Sequence, residues 1–359
     1  MKKHYMISLL SNGAQSASNV FIPLIAAGFG AAPFEIGLIV MLSAASRFVS
    51  DFLFGRFSDI LGRRRAFIKV GLLVASAAFF LQVLMYDIFS MIIIRLLAGF
   101  TMGICYFPLI AQISSSERYK RSIGRFSSYG SLGWVLGYAA AAMMPSYQMI
   151  FAVSGAMLLA AFILSVLLPD LRESRIRIPF FPKGIIKKNL RLYLSVIMRH
   201  TGANAVWVIF PLYLAGIGFS KAGIALLFAI NPLTQVFLFQ LVGHFSEKRD
   251  EAIFIKASFL ASFATFTLFL FFTDALTLGL SMIVLGISWS FMWAGSIIHL
   301  TGRNLERATA TGMLGSVIGI SATIGPLAGG LIAQLFGFQA TFVFATLCAM
   351  AGFLTSMKI

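Results

Sequence analysis

Charged residues are scarce in this chain of 359 residues: they make up 11% of the sequence, against about 25% in a typical soluble domain. Only 12 residues are acidic, whereas 59% of all residues are hydrophobic. So much apolar side chain leaves little surface for water to cover, which excludes an ordinary soluble globular protein. The composition predicts that the solvent around most of the chain is lipid.

Cysteine and histidine are also rare, with two and four residues. Cys105 and Cys348 lie in apolar stretches, which predicts free thiols and no disulfide framework. The sequence contains no metal-ligand spacing, no nucleophile with a neighbouring base and no phosphate-binding P-loop. These absences argue against an enzyme and against an ATP-driven pump, and we expect neither a metal nor a cofactor.

Long apolar runs dominate what is present. A helix needs about 20 apolar residues to cross a bilayer, and the sequence contains twelve such runs. They cover residues 5–27, 34–54, 66–85, 88–110, 126–145, 147–168, 191–215, 221–245, 252–272, 275–298, 309–335 and 338–357. The sequence therefore predicts an all-α membrane protein with twelve transmembrane helices.

A polar, proline-containing linker, 169–190, follows the sixth run and separates an N-terminal half, 1–168, from a C-terminal half, 191–359. The motif GRFSD at 55–59 follows the second run, and the similar motif GHFSE at 243–247 follows the eighth. Phe-Ile-Lys occurs a little after each motif. These matches predict a repeat of six helices, which many transporters use to build a site at the interface of two halves.

The net charge of +16 is concentrated in the short loops. If the N-terminus is cytoplasmic, nearly all of the 28 Lys and Arg residues lie at or near cytoplasmic ends of the predicted helices. Lys221 lies at an outer end, and Arg47, Arg95 and Arg199 lie inside helices. This distribution follows the positive-inside rule, places both termini in the cytoplasm and explains the charge without a nucleic-acid partner.

The stretch GRFSDILGRRR at 55–65 resembles the major facilitator signature between helices 2 and 3, G-x-x-x-D-x-x-G-R-[RK]-[RK]. The resemblance implies the major facilitator fold, alternating access between two halves, and a loop that latches the halves together on the cytoplasmic side. The residues implied for this gate are Gly55, Arg56, Asp59, Gly62, Arg63 and Arg64. Asp59 would face the positive N-terminal end of a helix from the other half.

Two further stretches resemble elements of the same family. RLLAGFTMG at 95–103 is similar to R-x-x-x-G-x-x-x-G, in which the arginine is often tied to proton coupling. GPLAGG at 325–330 resembles an element that drug antiporters carry in helix 5, although here it falls in helix 11. Close packing of small residues explains this last stretch equally well.

Polar residues inside a membrane helix normally face the bundle interior or a cavity. We expect the solute path to be lined by Asn12, Gln15, Arg47, Arg95, Tyr106, Arg199, Asn204, Trp207, Asn231, Gln235, Trp289 and Trp293. The coupling candidates are Asp51, Arg95 and His200, and Asp51 can also form a structural pair with Arg47, four residues before it. Arginines that face the path unpaired would favour an anionic solute.

These features predict a secondary active transporter in the cell membrane that moves a small organic solute by alternating access. Export is favoured, with protons as the candidate coupling ion. The alternative is an uptake permease for an organic anion or metabolite, and a lipid flippase or a membrane-embedded enzyme represents a different class. The expected partners are the solute and membrane lipid, with the protein a monomer.

Overall fold

We describe a computed structural model of the chain, covering residues 2–114, 119–169, 183–245, 251–304 and 307–359. The described residues form helices and contain no strand. The helices are α1 (Lys2–Asn19), α2 (Ile22–Gly28), α3 (Pro33–Leu61), α4 (Arg64–Leu81), a 3₁₀ turn (Gln82–Leu84), α5 (Ile88–Ser114), α6 (Tyr119–Met143), α7 (Tyr147–Val166), α8 (Lys183–Lys188), α9 (Leu190–Gly216), α10 (Lys221–Phe245), α11 (Glu251–Phe271), α12 (Ala275–Arg303), α13 (Arg307–Phe336) and α14 (Phe338–Ser356).

These helices match the twelve predicted spans in order, and the all-α fold class is confirmed. The first span is formed by α1 and α2 together, the third by α4 and the 3₁₀ turn, and α8 lies in the predicted linker. Within the described ranges, nine helices are long and apolar enough to cross a membrane. The spans formed by α1–α2, α6 and α9 fall outside that set because they carry many polar residues. Such helices need neighbours that shield them from lipid.

The chain divides into two compact units. The first unit comprises residues 1–31, 42–178 and 219–232, and the second comprises 32–41, 179–218 and 233–359. The first unit therefore includes the beginning of α10 from the predicted C-terminal half, and the second unit includes the beginning of α3 from the predicted N-terminal half. Most of the predicted linker, 169–190, lies outside the described residues, and the boundaries of the two halves stay a prediction.

The same helix pairing occurs in each unit. In the first unit α1 packs against α6 and α7, and α4 packs against α5 and α7. In the second unit α9 packs against α13 and α14, and α11 packs against α12 and α14. Counted as spans, these contacts fall at equivalent positions, so a repeated packing pattern accompanies the repeated sequence motifs.

Glycine permits close contact at equivalent places in the two patterns. A Cβ atom added to Gly133 of α6 would lie 2.2 Å from the Leu9 carbonyl oxygen of α1. A Cβ added to Gly329 of α13 would lie 2.2 Å from the Ala205 carbonyl oxygen of α9. Backbones this close leave no room for a side chain. Gly329 of the 325–330 element is thus a packing residue at the α9–α13 contact.

Basic side chains close the C-terminal ends of several helices. At the end of α7, Arg65 donates a hydrogen bond to the Val166 carbonyl at 2.6 Å, and Lys3 donates to the Leu167 carbonyl at 3.1 Å. In the second unit Arg191 donates to the Lys358 carbonyl at 2.9 Å. A cation at this end of a helix satisfies carbonyls that lack helical partners and is favoured by the helix dipole. Some of the basic residues therefore stabilise helix ends directly.

Acidic residues cap the N-terminal ends of two other helices, α5 and α12. The Ser90 backbone N–H donates to Asp87 at 2.7 Å before α5, and the Thr277 N–H donates to Asp274 at 2.9 Å before α12. These are N-terminal caps. Hydrogen bonds with Ser90 and Thr277 lower the pKa of both carboxyl groups below their usual value.

Candidate functional site

The largest set of predicted site residues that meet in the first unit is centred on Arg47. Its guanidinium donates to the Gln15 side-chain oxygen, and its Nε lies 3.5 Å from an Asp51 carboxylate oxygen. The centre of the guanidinium lies 5.0 Å from the centroid of the Tyr106 ring. We call Gln15, Arg47, Asp51 and Tyr106 the Arg47 cluster. It joins α1, α3 and α5, and its ion pair follows from the i, i+4 spacing on α3.

The Arg47 cluster is only partly withdrawn from solvent. The side chain of Arg47 is 30% exposed and that of Asp51 is 15% exposed. The Oδ2 atom of Asp51 faces Arg47, whereas its Oδ1 atom is buried and has no hydrogen-bond partner among the described residues. A carboxylate left half satisfied in this way can accept a proton.

Asn12 lies one turn from Gln15 on α1 and joins a neighbouring contact. Its side-chain oxygen accepts a hydrogen bond of 2.9 Å from the Trp134 indole of α6, and its amide nitrogen donates to the Ser8 carbonyl at 2.8 Å. Trp134 is absent from the predicted path residues, although it is the only tryptophan of α6. The indole N–H of a tryptophan inside a membrane helix needs an acceptor, and that need is the signal that could have identified it.

Arg95 lies in a separate cluster and is 7% exposed. It donates to the Asn19 side chain at 2.8 Å and to the Gln82 side-chain oxygen at 3.2 Å. The Ser18 hydroxyl donates to the same oxygen of Gln82 at 2.7 Å. The cluster therefore surrounds a buried guanidinium with neutral hydrogen-bonding groups.

The glycines of the 95–103 element explain how α5 is held against α3. A Cβ at Gly99 would lie 2.2 Å from the Ser43 carbonyl oxygen, and one at Gly103 would lie 2.6 Å from the Ser50 Cβ. The Ser43 hydroxyl donates to the Arg95 carbonyl at 3.0 Å. This close contact fixes the register of α5 against α3. Tyr106 lies about one turn after Gly103 on α5 and contacts Arg47.

Arg199 forms the main polar cluster of the second unit, and its side chain is almost fully buried, at 3% exposed. It donates to the Ser262 hydroxyl at 2.8 Å and to the Ser288 hydroxyl at 3.2 Å. A ring nitrogen of His200 lies 3.1 Å from the guanidinium. The Trp289 ring centroid lies 5.9 Å from the guanidinium and 5.0 Å from the His200 ring. These neighbours of Arg199 are neutral or titratable groups, and none of them is a carboxylate.

The other predicted residues of the second half are more scattered. Trp293 stacks on Trp289 at 5.8 Å, and the Asn204 amide donates to the His200 carbonyl at 2.8 Å. Trp207 contacts Phe210. Asn231 and Gln235 are half-buried on α10 and both interact with other residues. Asn231 belongs to the first unit and Gln235 to the second.

The signature loop is a sharp helix junction. Helix α3 ends at Leu61, Gly62 has a positive φ of 63°, and α4 begins at Arg64 after Arg63. Glycine adopts this left-handed conformation without strain.

The remaining signature residues have different positions. Gly55 and Arg56 lie inside α3 and not in the turn. Arg64 donates to the Ala111 carbonyl of α5 at 3.3 Å. The side chain of Asp59 lies outside the described part of the structure, so the predicted latch contact stays a prediction.

The serines that surround Arg199 are absent from the predicted path residues. Ser262 of the ninth span, α11, nevertheless contacts Arg199 directly. Ser258 and Ser262 are four residues apart on α11, and the Ser258 carbonyl accepts a hydrogen bond from Ser288 at 2.7 Å. The repeated serines on one face of α11 were the available signal in the sequence, because serine side chains in membrane helices can hydrogen-bond to neighbouring helices.

Comparison with known proteins identifies the family. The family model for the Major Facilitator Superfamily matches residues 5–296 and 192–358. The chain is 24% identical over 329 residues to the quinolone resistance protein NorA of Staphylococcus aureus (strain COL), covering 87% of this chain and 84% of that protein. It is also 24% identical over 322 residues to the proton-coupled antiporter flippase LtaA of Staphylococcus haemolyticus (strain JCSC1435), covering 84% and 78%.

A solved structure shares the fold. The crystal structure of the nucleoside transporter NupG superposes with a TM-score of 0.79 at 14% identity and covers 100% of this chain and 99% of that one. Helical architecture, signature loop and sequence matches define a polytopic secondary transporter. The chain belongs to the major facilitator superfamily. It is a multi-pass protein of the cell membrane, and the members of its family transport small solutes.

Proposed function

We propose that the protein exports an amphipathic organic solute in exchange for protons, and that the Arg47 cluster is the site where the two compete. One observation carries this proposal: the partly exposed carboxylate of Asp51 is only half satisfied. One of its oxygens is paired with Arg47, and the other has no partner among the described residues. The proton-coupled antiporter flippase LtaA, 24% identical to this chain, supports proton exchange. The quinolone resistance protein NorA, also 24% identical, supports an organic, drug-like solute.

The sign of the coupling depends on the charge of the solute. Ionised Asp51 attracts a cationic or hydrogen-bond-donating solute, and a proton on Asp51 removes that attraction. Proton and solute then exclude each other, which is the requirement for exchange. An anionic solute behaves in the opposite way. It binds Arg47 more readily when Asp51 is protonated and no longer neutralises the guanidinium, so that proton and solute bind together.

The second behaviour supports the alternative, an uptake permease for an organic anion. The specific observation in its favour is that Arg47 is more exposed than Asp51, at 30% against 15%. Arg95 and Arg199 add positive charge within the spans, but both are buried and already hydrogen-bonded to side chains of the protein.

Binding measured as a function of pH separates the two functions. For the purified protein we expect the Kd of ethidium, an amphipathic cation, to rise as pH falls from 8 to 5. We expect Asp51→Asn to remove this dependence, because the amide does not titrate. The matched control is Asp87→Asn, an exposed capping position at the start of α5 that should leave the pH dependence intact.

Each outcome has a defined meaning. Tighter binding of the anion fluorescein at low pH, without pH-dependent binding of ethidium, would support the uptake permease and contradict exchange. An unchanged pH dependence in Asp51→Asn would remove Asp51 from the proposed site.

We further propose that both termini are cytoplasmic and that the transporter works as a monomer of two six-helix halves, 1–168 and 191–359. The repeated helix pairing supports two six-helix halves. Lys3 near the N-terminus and Lys358 near the C-terminus support cytoplasmic termini by the positive-inside rule. The proposal assigns transport to the chain and no enzymatic activity.

A further inference from the structure

A cavity of about 340 Å³ lies in the first unit, and none of its lining residues belongs to the Arg47 cluster. Its wall is formed by the last turns of α2, the 3₁₀ turn and the first turns of α7. Its volume falls at the lower end of the range for ligand pockets, roughly 300–1,000 Å³. The cavity is therefore large enough to hold part of an amphiphile.

The lining is mainly apolar, with side chains such as Leu24, Ile25 and Phe151. Its polar side chains are Gln82, Tyr147 and Gln148, and no acidic residue is among the lining residues in the described part of the chain. Apolar walls with a few polar groups suit a molecule that has an apolar tail and a polar head.

Two cations adjoin the polar lining residues. The Nζ atom of Lys221 lies 4.9 Å from the Tyr147 ring centroid and donates to the Met144 carbonyl at 2.8 Å. Arg95 donates to Gln82 at 3.2 Å, behind the wall. Asp87 follows the 3₁₀ turn, but it is fully exposed and caps α5. Positive charge beside the polar lining residues attracts an anionic head group.

An exposed tyrosine marks the depth of the cavity. Tyr86 is 76% exposed and follows the 3₁₀ turn that forms part of the wall. Amphipathic aromatic rings are typical of the membrane–water interface. At this depth the surrounding medium contains lipid head groups, so lipid is the ligand within reach.

We propose that this cavity binds an anionic amphiphile of the bilayer, with an acyl chain against the apolar wall and the head group beside Lys221. The ligand chemistry is a single acyl chain below a negative charge, which either an anionic phospholipid or a free fatty acid supplies. The site lies within the first unit and is independent of the solute that the protein transports.

The apolar part of the site is tested by filling it. A Cβ at Gly28, the last residue of α2, meets nothing within 4 Å, so Gly28→Phe can place its ring in the cavity without moving the backbone. Gly216 ends α9 in the same open surroundings but does not line the cavity, which makes Gly216→Phe the matched control. For Gly28→Phe we expect binding of phosphatidylglycerol, measured by native mass spectrometry, to weaken about tenfold or more.

The charged part is tested at Lys221. Wild type should prefer phosphatidylglycerol to phosphatidylcholine, Lys221→Gln should lose that preference, and Lys221→Arg should keep it. Oleate that displaces phosphatidylglycerol identifies the site as one for any anionic chain, and failure to displace identifies a phospholipid site. Equal binding of the two phospholipids by wild type would overturn the proposal, as would unchanged binding by Gly28→Phe or an equal loss in Gly216→Phe. None of these results depends on the pH-dependent binding proposed for Asp51.

Discussion

Arg47 and Arg199 illustrate two uses of the same side chain within a membrane span. Arg47 keeps 30% of its side chain exposed and shares an ion pair with Asp51. Arg199 is 3% exposed and is held by serine hydroxyls, a histidine ring and an indole face. The first arrangement leaves the guanidinium available to a ligand, whereas the second uses it to tie α9 to α11 and α12 by hydrogen bonds.

This difference predicts opposite phenotypes for two identical substitutions. Arg199→Gln removes the hydrogen bonds of the guanidinium to Ser262 and Ser288, which stay bonded to each other, and its contact with His200. A hydrogen bond made by a charged group contributes about 1.5–3 kcal/mol. We therefore expect Arg199→Gln to lower the melting temperature clearly more than Arg47→Gln in a thermal unfolding assay. Arg47→Gln should instead change the Kd of charged solutes. A larger loss of stability in Arg47→Gln would contradict the assignment.

The sequence alone predicted the polar positions of the clusters, but among their contacts it predicted only the pair of Arg47 and Asp51. Arg47 and Asp51 could be paired because i, i+4 spacing places both on one face of α3. The serines near Arg199 could not be assigned, because a serine in a membrane helix often bonds its own preceding turn. Only the three-dimensional structure shows that the hydroxyls of Ser262 and Ser288 face Arg199.

At the scale of helices, glycines decide how closely spans approach. Gly329 faces the Ala205 backbone, whereas a Cβ at Gly312 of the same helix meets nothing within 4 Å. We expect Gly329→Ala to lower the melting temperature, because two backbones must separate to admit the methyl group. Gly312→Ala should leave it unchanged or raise it, since alanine is favoured over glycine within a helix by about 1 kcal/mol. Equal effects of the two substitutions would contradict the close contact between α9 and α13.

Helix number was predictable and helix breaks were not. Twelve apolar runs correspond to the twelve observed spans because each must be long enough to cross the bilayer. The first span nevertheless breaks between Asn19 and Ile22, where Pro23 occupies the first turn of α2. Proline is well accommodated there, so the break could have been suspected from the sequence. The 3₁₀ turn after α4 had no comparable signal.

At the scale of the whole molecule, the orientation in the membrane can be tested directly. Thr273 precedes α12 and is exposed, and Lys358 follows α14 at the other side of the predicted bilayer. In intact cells a membrane-impermeant maleimide should label Thr273→Cys and not Lys358→Cys. The two natural cysteines, Cys105, which is 3% exposed, and Cys348, set the background labelling, which is measured on the wild-type protein. Labelling of Lys358→Cys alone would show that the termini are external.

The most direct test of the central claim is simultaneous measurement of solute and proton movement in proteoliposomes containing a pH-sensitive dye. With ethidium as the transported solute, we predict that protons move opposite to ethidium and that an imposed pH gradient drives ethidium against its own gradient. Asp51→Asn should abolish the proton movement, and Asp87→Asn should retain it. Ethidium flux without proton movement, or unaltered exchange in Asp51→Asn, would contradict a transporter that couples the two at the Arg47 cluster.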